Sequence, residues 1–171
     1  MKTTLIVALM VVWLSTLLVF SACNSQEGFA IYLTRDDIPV SQMPILSHVD
    51  IADEPIISID DIVSYKWAIH AIELTPEAYE RVDELEVSTS GRSFVVCVDK
   101  QPIYWGAFWA GYSSQSFDGV TIAVKPIFPV ENAPFSFQIG LGYPLPSFSQ
   151  GEDPRSNSVI FESLEQAGKL K

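Results

Sequence analysis

The chain is poor in the side chains that carry most enzymatic chemistry. It has two cysteines and two histidines, and ten basic residues against 21 acidic ones. With His48 and His70 as the only histidines, there is no His-Glu-x-x-His zinc helix, and no Cys-x-x-Cys pair occurs. The segment "GYSSQ" at 111–115 ends in Gln115 and so misses the Gly-x-Ser-x-Gly elbow. No serine stands three residues before a lysine, and no glycine-rich phosphate loop is present. The net charge of −11 argues against nucleic-acid binding, which needs clustered Lys and Arg to displace counterions. It also disfavours flat adsorption on anionic lipid, and reads most simply as a solvated surface.

What is present first is an apolar leader. Met1-Lys2 precedes an uncharged run over residues 3–22, small residues Ser21 and Ala22 follow, and the chain turns polar after Cys23. A basic start, an apolar segment and small residues at a cut site are the parts of a secretory signal peptide. Phe20-Ser21-Ala22-Cys23 resembles the lipobox of bacterial lipoproteins, with Phe20 where an aliphatic residue is usual. That resemblance implies cleavage after residue 22, a diacylglyceryl group on the Cys23 thiol, and palmitate-type acyl chains holding the protein to a membrane. The alternative is an uncleaved helical anchor, since about 20 apolar residues span a hydrocarbon core. Either reading tethers the protein at the bacterial cell membrane or envelope, facing outside the cytoplasm. Residues 1–22 are thus expected to be a signal peptide, 23–28 a lipidated tether, and 29–171 one domain. The remaining length of about 150 residues is ordinary for a single core.

If Cys23 carries lipid, Cys97 has no partner, and no internal disulfide supports the fold. Cys97 lies in "FVVCVD", where a cysteine behaves as a small buried hydrophobe. A Cys97–His70 nucleophilic pair is the competing reading of two otherwise isolated residues.

Hydrophobic patterning predicts strands at 29–37, 62–67, 71–74, a hairpin across 92–109 turning at 99–102, and strands at 119–125 and 134–142. Residues 38–61, broken by Pro39, Pro44 and Pro55, read as a long connection with one short element near 56–59. Thr75-Pro76-Glu77 is a strong helix start, combining a cap, a first-turn proline and an acid at the positive end. That helix presents Ala78, Val82 and Leu85 on one face; a second, over 158–167, presents Ile160, Leu164 and Ala167 and stops at Gly168. The expected class is α+β: a single domain with a mostly antiparallel sheet and about two helices.

"IELTPEAYERV", Gly91-Arg92 and "FVVCVDKQPIYWGAF" occur in strand–helix–hairpin order. Over about a quarter of the chain this is similar to the first periplasmic domain of the export subunit SecD. The family's turn has Asp-Gly where this chain has Asp99-Lys100, and it comes with membrane helices that do not accompany the segment here. The resemblance implies a ferredoxin-like unit and carries over no export role.

Asp50, Asp53, Glu54, Asp60 and Asp61 are hard-cation ligand types, but their spacing does not match an EF-hand loop, and acidic doublets also cap and solvate loops. No metal and no cofactor are expected. The most unusual stretch is "PIYWGAFWAGY", 102–112. As a strand it is apolar on both faces, which reads as a central strand covered twice. The functional alternative leaves one face open to a small ligand or an envelope protein, with Trp105, Trp109, Tyr112 and Phe117 as the candidate binding face. In that reading Trp105 is expected to be buried and Trp109 the more exposed. The leading functional expectation is a non-enzymatic, lipid-anchored binding domain. A membrane-tethered enzyme and a structural accessory of an envelope assembly are the alternatives, and whether the chain is an enzyme stays open.

Overall fold

The computed structural model describes residues 27–125 and 134–171. The expected signal peptide, Cys23 and the tether through residue 26 lie outside the described residues. Seven strands form one sheet: β1 (Phe29–Leu33), β2 (Ile62–Lys66), β3 (Ala71–Leu74), β4 (Arg92–Val98), β5 (Gln101–Ala110), β6 (Phe117–Val124) and β7 (Ser136–Tyr143). Their spatial order is β1-β4-β5-β6-β7-β3-β2, antiparallel throughout except for the parallel β5–β6 pair. Two helices, α1 (Pro76–Asp83) and α2 (Ser158–Gln166), complete the α+β architecture. The sheet is larger than a ferredoxin-like unit, and the strands flanking α1 are separated in it by β5, β6 and β7.

Local chemistry explains the elements. The Thr75 hydroxyl accepts from the Ala78 N–H at 3.3 Å with Pro76 behind it, so the first turn starts with one orphan donor satisfied. Asn157 caps α2 by accepting from the Val159 N–H at 2.9 Å. Gly168, at φ +67°, follows α2 in the left-handed conformation that ends helices. The β4–β5 hairpin turns through Asp99 (φ 50°) and Lys100 (φ 61°), the two-residue geometry whose twist matches paired strands. That turn holds the start of the domain: Asp99 Oδ1 accepts from the Gly28 N–H at 2.8 Å, and Lys100 Nζ sits 3.0 Å from Glu27. Two residues of the expected tether, Glu27 and Gly28, are therefore bonded into the fold.

The sheet has two unlike faces. On the helix face Phe29, Ile31, Phe94, Val96, Phe108, Ile122, Ile139, Ile72 and Leu74 form one continuous core, closed by Ala78 and Val82 of α1 and Ile160 and Leu164 of α2. Ala167, expected on the packed side of α2, is exposed, because the helix ends one residue before it. On the far face a smaller cluster of Ala30, Tyr32, Val95 and Cys97 is covered by Ile38, Met43, Leu46, Val49 and Ile51 of the proline-broken connection. This connection also guards an edge. Its 50–57 part bonds β1, with the Ile31 N–H donating to Ile57 O at 2.8 Å and the Ala52 N–H to Leu33 O at 3.0 Å. At the other edge the Tyr65 N–H donates to Lys169 O at 2.7 Å and the Lys171 N–H to Tyr65 O at 2.9 Å. Both outer strands thus have partners for backbone groups that would otherwise invite another chain.

Candidate functional site

Strand β5 pairs with β4 on one side and β6 on the other, so its alternation is read against two neighbours. Trp105, Ala107 and Trp109 point to the far face, and Ser93 of β4 lies opposite Ala107. The parallel β5–β6 pairing requires the chain to travel back between strands, and residues 111–116 do so in far fewer than the dozen residues such crossovers normally take. The short crossover passes over the far face and is fastened there. The Ser113 hydroxyl donates to Thr89 O at 2.6 Å, and the Tyr143 hydroxyl donates to Gly111 O at 2.9 Å. Trp109 Nε1–H donates to Gln115 O at 3.3 Å.

This crossover reverses the expected order of the two tryptophans. Trp109 is 3% exposed, whereas Trp105 is half-buried. Phe117, arriving at the end of the crossover, stacks on Trp109 with ring centres 5.2 Å apart and planes 10° apart. A Cβ placed on Gly91 would lie 2.5 Å from atoms of the Trp109 ring, and Gly91 itself has φ +81°. Only glycine satisfies both the conformation and the contact. Trp105 has a looser neighbourhood: a tilted contact with Phe117 at 5.9 Å and the inner side chains of the proline-broken connection. The glycine inside the aromatic stretch, Gly106, is used on the helix face, where the Phe94 ring occupies the space a Cβ would need.

Around these rings lies a groove of about 610 Å³, in the size range of small-ligand sites. Trp105, Trp109 and Phe117 form its apolar wall. Asp37 and Arg92 line it as an ion pair, Nε to Oδ1 at 2.9 Å. The exposed Glu86 and Asp118 also line it, and neither has an ion-pair partner among the described residues. Ser41, Ser88, Ser90 and Ser116 add hydroxyls. Beside the wall, the hydroxyl of Ser93 is the one buried side-chain polar atom among the described residues without a hydrogen-bond partner.

Tyr112 does not join this surface. It is 66% exposed and lines a separate groove of about 530 Å³ with Ala110, Val124, Leu85 and Lys125; the two grooves share Glu86 and Ser88. Of the four residues expected to form one face, three are brought together and one is placed elsewhere. Asp37, Glu86, Arg92 and Asp118 carried no sequence signal, because they come from four separate segments. Gly91-Arg92 stood out in the sequence only as part of the SecD-like order, not as part of a site.

The other candidates are dispersed. Cys97 is buried on the far face, and burial pushes its thiol up to about 12, against thiolate chemistry. His70 is buried on its own loop with Nδ1 3.0 Å from the Tyr65 hydroxyl, and Tyr65 belongs to the helix-face core; His70 and Cys97 form no nucleophilic pair. Burial first, then the nearby Arg155, pulls the His70 pKa below its ordinary value. Asp53 pairs with Arg35 at 2.7 Å, and Asp61 with Arg81 at 2.8 Å. Asp61 also accepts from the Ser58 N–H at 2.7 Å and the Ser58 hydroxyl at 2.8 Å. No group of three or more acidic, His or Cys side chains positioned to hold a metal occurs among the described residues. Among the described residues, no helix is long and apolar enough to cross a membrane.

No family model, curated protein or solved structure matches the chain.

Proposed function

We propose that this is a lipid-anchored protein of the bacterial cell membrane or envelope, held by acyl chains on Cys23. In this reading its extracytoplasmic domain binds a ligand without catalysis. The observation that carries the binding part is the far-face groove, in which a fixed aromatic wall meets unmatched carboxylates. Its lining is more polar than that of most ligand sites, but it shares with them an apolar wall faced by polar groups that can orient a guest. The binding surface is Trp105 with Phe117, since Trp109 is buried against Phe117 and Tyr112 lines another groove. Tethering raises local concentration, so modest affinity is enough for such a domain to act. The SecD resemblance reduces to the order β3–α1–β4–β5, and neither a ferredoxin-like unit nor an export role forms part of this proposal.

Two measurements test the reading. Cells fed labelled fatty acid should label the wild type and leave Cys23→Ser unlabelled and unshortened; equal size without label in both overturns the anchor. Native mass spectrometry of the protein purified from its own cells should show a bound molecule that Trp105→Ala loses. A ligand-free wild type, or equal retention by the variant, overturns binding in this groove.

A further inference from the structure

We infer that the occupant of the far-face groove is a small organic cation, an alkylammonium compound with an apolar body. The inference rests on the groove being a binding site and names its ligand class.

Charge decides the class. Asp37 and Arg92 neutralise one another at 2.9 Å, which leaves Glu86 and Asp118 as the uncompensated charges lining the groove. Both are exposed and paired with no cation among the described residues. A second negative ligand would meet repulsion from both, and the domain's acidic excess acts in the same direction at longer range. The aromatic wall selects further. A cation near the face of Trp or Phe is attracted by the ring quadrupole, and the attraction grows as water is excluded. Trp105 and Phe117 are half-buried, so their remaining surface is available beside the carboxylates.

A neutral sugar fits less well. Sugar recognition by aromatics needs an open ring face to stack on, and Trp109 has Phe117 parallel to it at 5.2 Å and Gly91 pressed against its ring. Of the two tryptophans, only Trp105 retains partial access. The combination of a partial aromatic surface with two carboxylates suits a compact positive group better than a broad polyol.

The test is isothermal titration of the purified full-length protein with three probes: choline, its uncharged isostere 3,3-dimethylbutan-1-ol, and glucose. Choline should bind with millimolar or better affinity, and the isostere about tenfold or more weakly, a difference of about 1.4 kcal/mol. Glu86→Gln with Asp118→Asn keeps shape and removes charge from exposed positions, so the variant should keep the wild-type melting temperature and lose choline binding about tenfold. Raising salt should weaken choline binding more in the wild type than in the variant. Equal binding of choline and its isostere, or preferential binding of glucose, overturns the cationic class while leaving the groove as a binding site. Absence of choline binding at about 10 mM overturns the class as well. Native mass spectrometry of Trp105→Ala then decides separately whether the groove holds any ligand.

Discussion

The two faces of the sheet are built from the same strands by different means. The helix face is closed by two short helices whose apolar stripes match the strands beneath, and its core runs unbroken from Phe29 in β1 to Ile62 in β2. Among the described residues the far face is covered by no α-helix. Part of it lies under the proline-broken connection, with its single-turn 3-10 helices Val40–Gln42 and Leu46–His48, and part under a short crossover pinned through Ser113, Gln115 and Tyr143. A helix buries a continuous stripe, whereas irregular segments bury side chains one at a time and leave gaps between them. The groove is such a gap. This explains why polar and charged side chains line a groove on one face of a sheet whose other face is a continuous apolar core.

The sharpest test of that comparison is whether the far face is a core at all. Leu164→Ala on the helix face should cost about 2–5 kcal/mol, and Trp109→Ala on the far face about 3–5 kcal/mol. Trp105→Ala should cost clearly less than either, because its ring is already part-exposed. Urea unfolding of the three variants checks the order. A Trp105 penalty equal to that of Trp109 would mean that the far face packs uniformly and the groove is closed in solution. Acrylamide quenching in single-tryptophan variants should reach Trp105 more readily than Trp109.

Gly91→Ala is next. It combines a left-handed backbone with a Cβ 2.5 Å from the Trp109 ring, and should cost about 2–4 kcal/mol. Crystallographic displacement of the Trp109 ring in that variant would locate the strain. A neutral effect would show that the crossover yields freely, contrary to its hydrogen bonds.

The smallest effect lies on the loop of the buried histidine. His70, close to Tyr65, Arg155 and Asp153, has a folded-state pKa below its ordinary 6.5, so between the two values the folded protein holds fewer protons there than the unfolded chain. Its contribution is complete above pH 6.5 and declines as pH falls below that value. Asp61, Glu73 and Asp153 have lowered pKa values, so their contribution begins to fade only below about 4.5. Between pH 6.5 and 4.5 the melting temperature should therefore drift down in the wild type and stay level in His70→Asn, whose asparagine tolerates the φ of 49°. A parallel drift in both proteins would remove His70 as its source.

Residues close in sequence made much of this fold legible. Alternation at 135–141 marked β7 and placed Phe137 and Ile139 inward, though Phe135, at the end of the same run, stays part-exposed. Thr75-Pro76 set the start of α1, and the strands at 62–66 and 71–74 followed from their own composition. Such signals are local because a helix or strand imposes its period on neighbours two to four residues apart. The apolar character of both faces of β5 was equally plain; it did become an interior strand, closed on the helix face and covered on the far face except where the groove opens beside Trp105.

What only the tertiary structure decided is which tryptophan is shielded and which charges stand beside it. Trp109 is buried because the chain after it runs parallel to β5, lays Phe117 on its ring and brings Gly91 against the same ring. A short connection between two strands reads as a hairpin, so the crossover that covers the far face left no periodic trace. Asp37, Glu86, Arg92 and Asp118 line one groove for the same reason: they come from four separate segments, and only the tertiary structure brings those segments together. Periodicity assigns a side chain to a face, but whether that face is closed depends on the segment that returns to cover it.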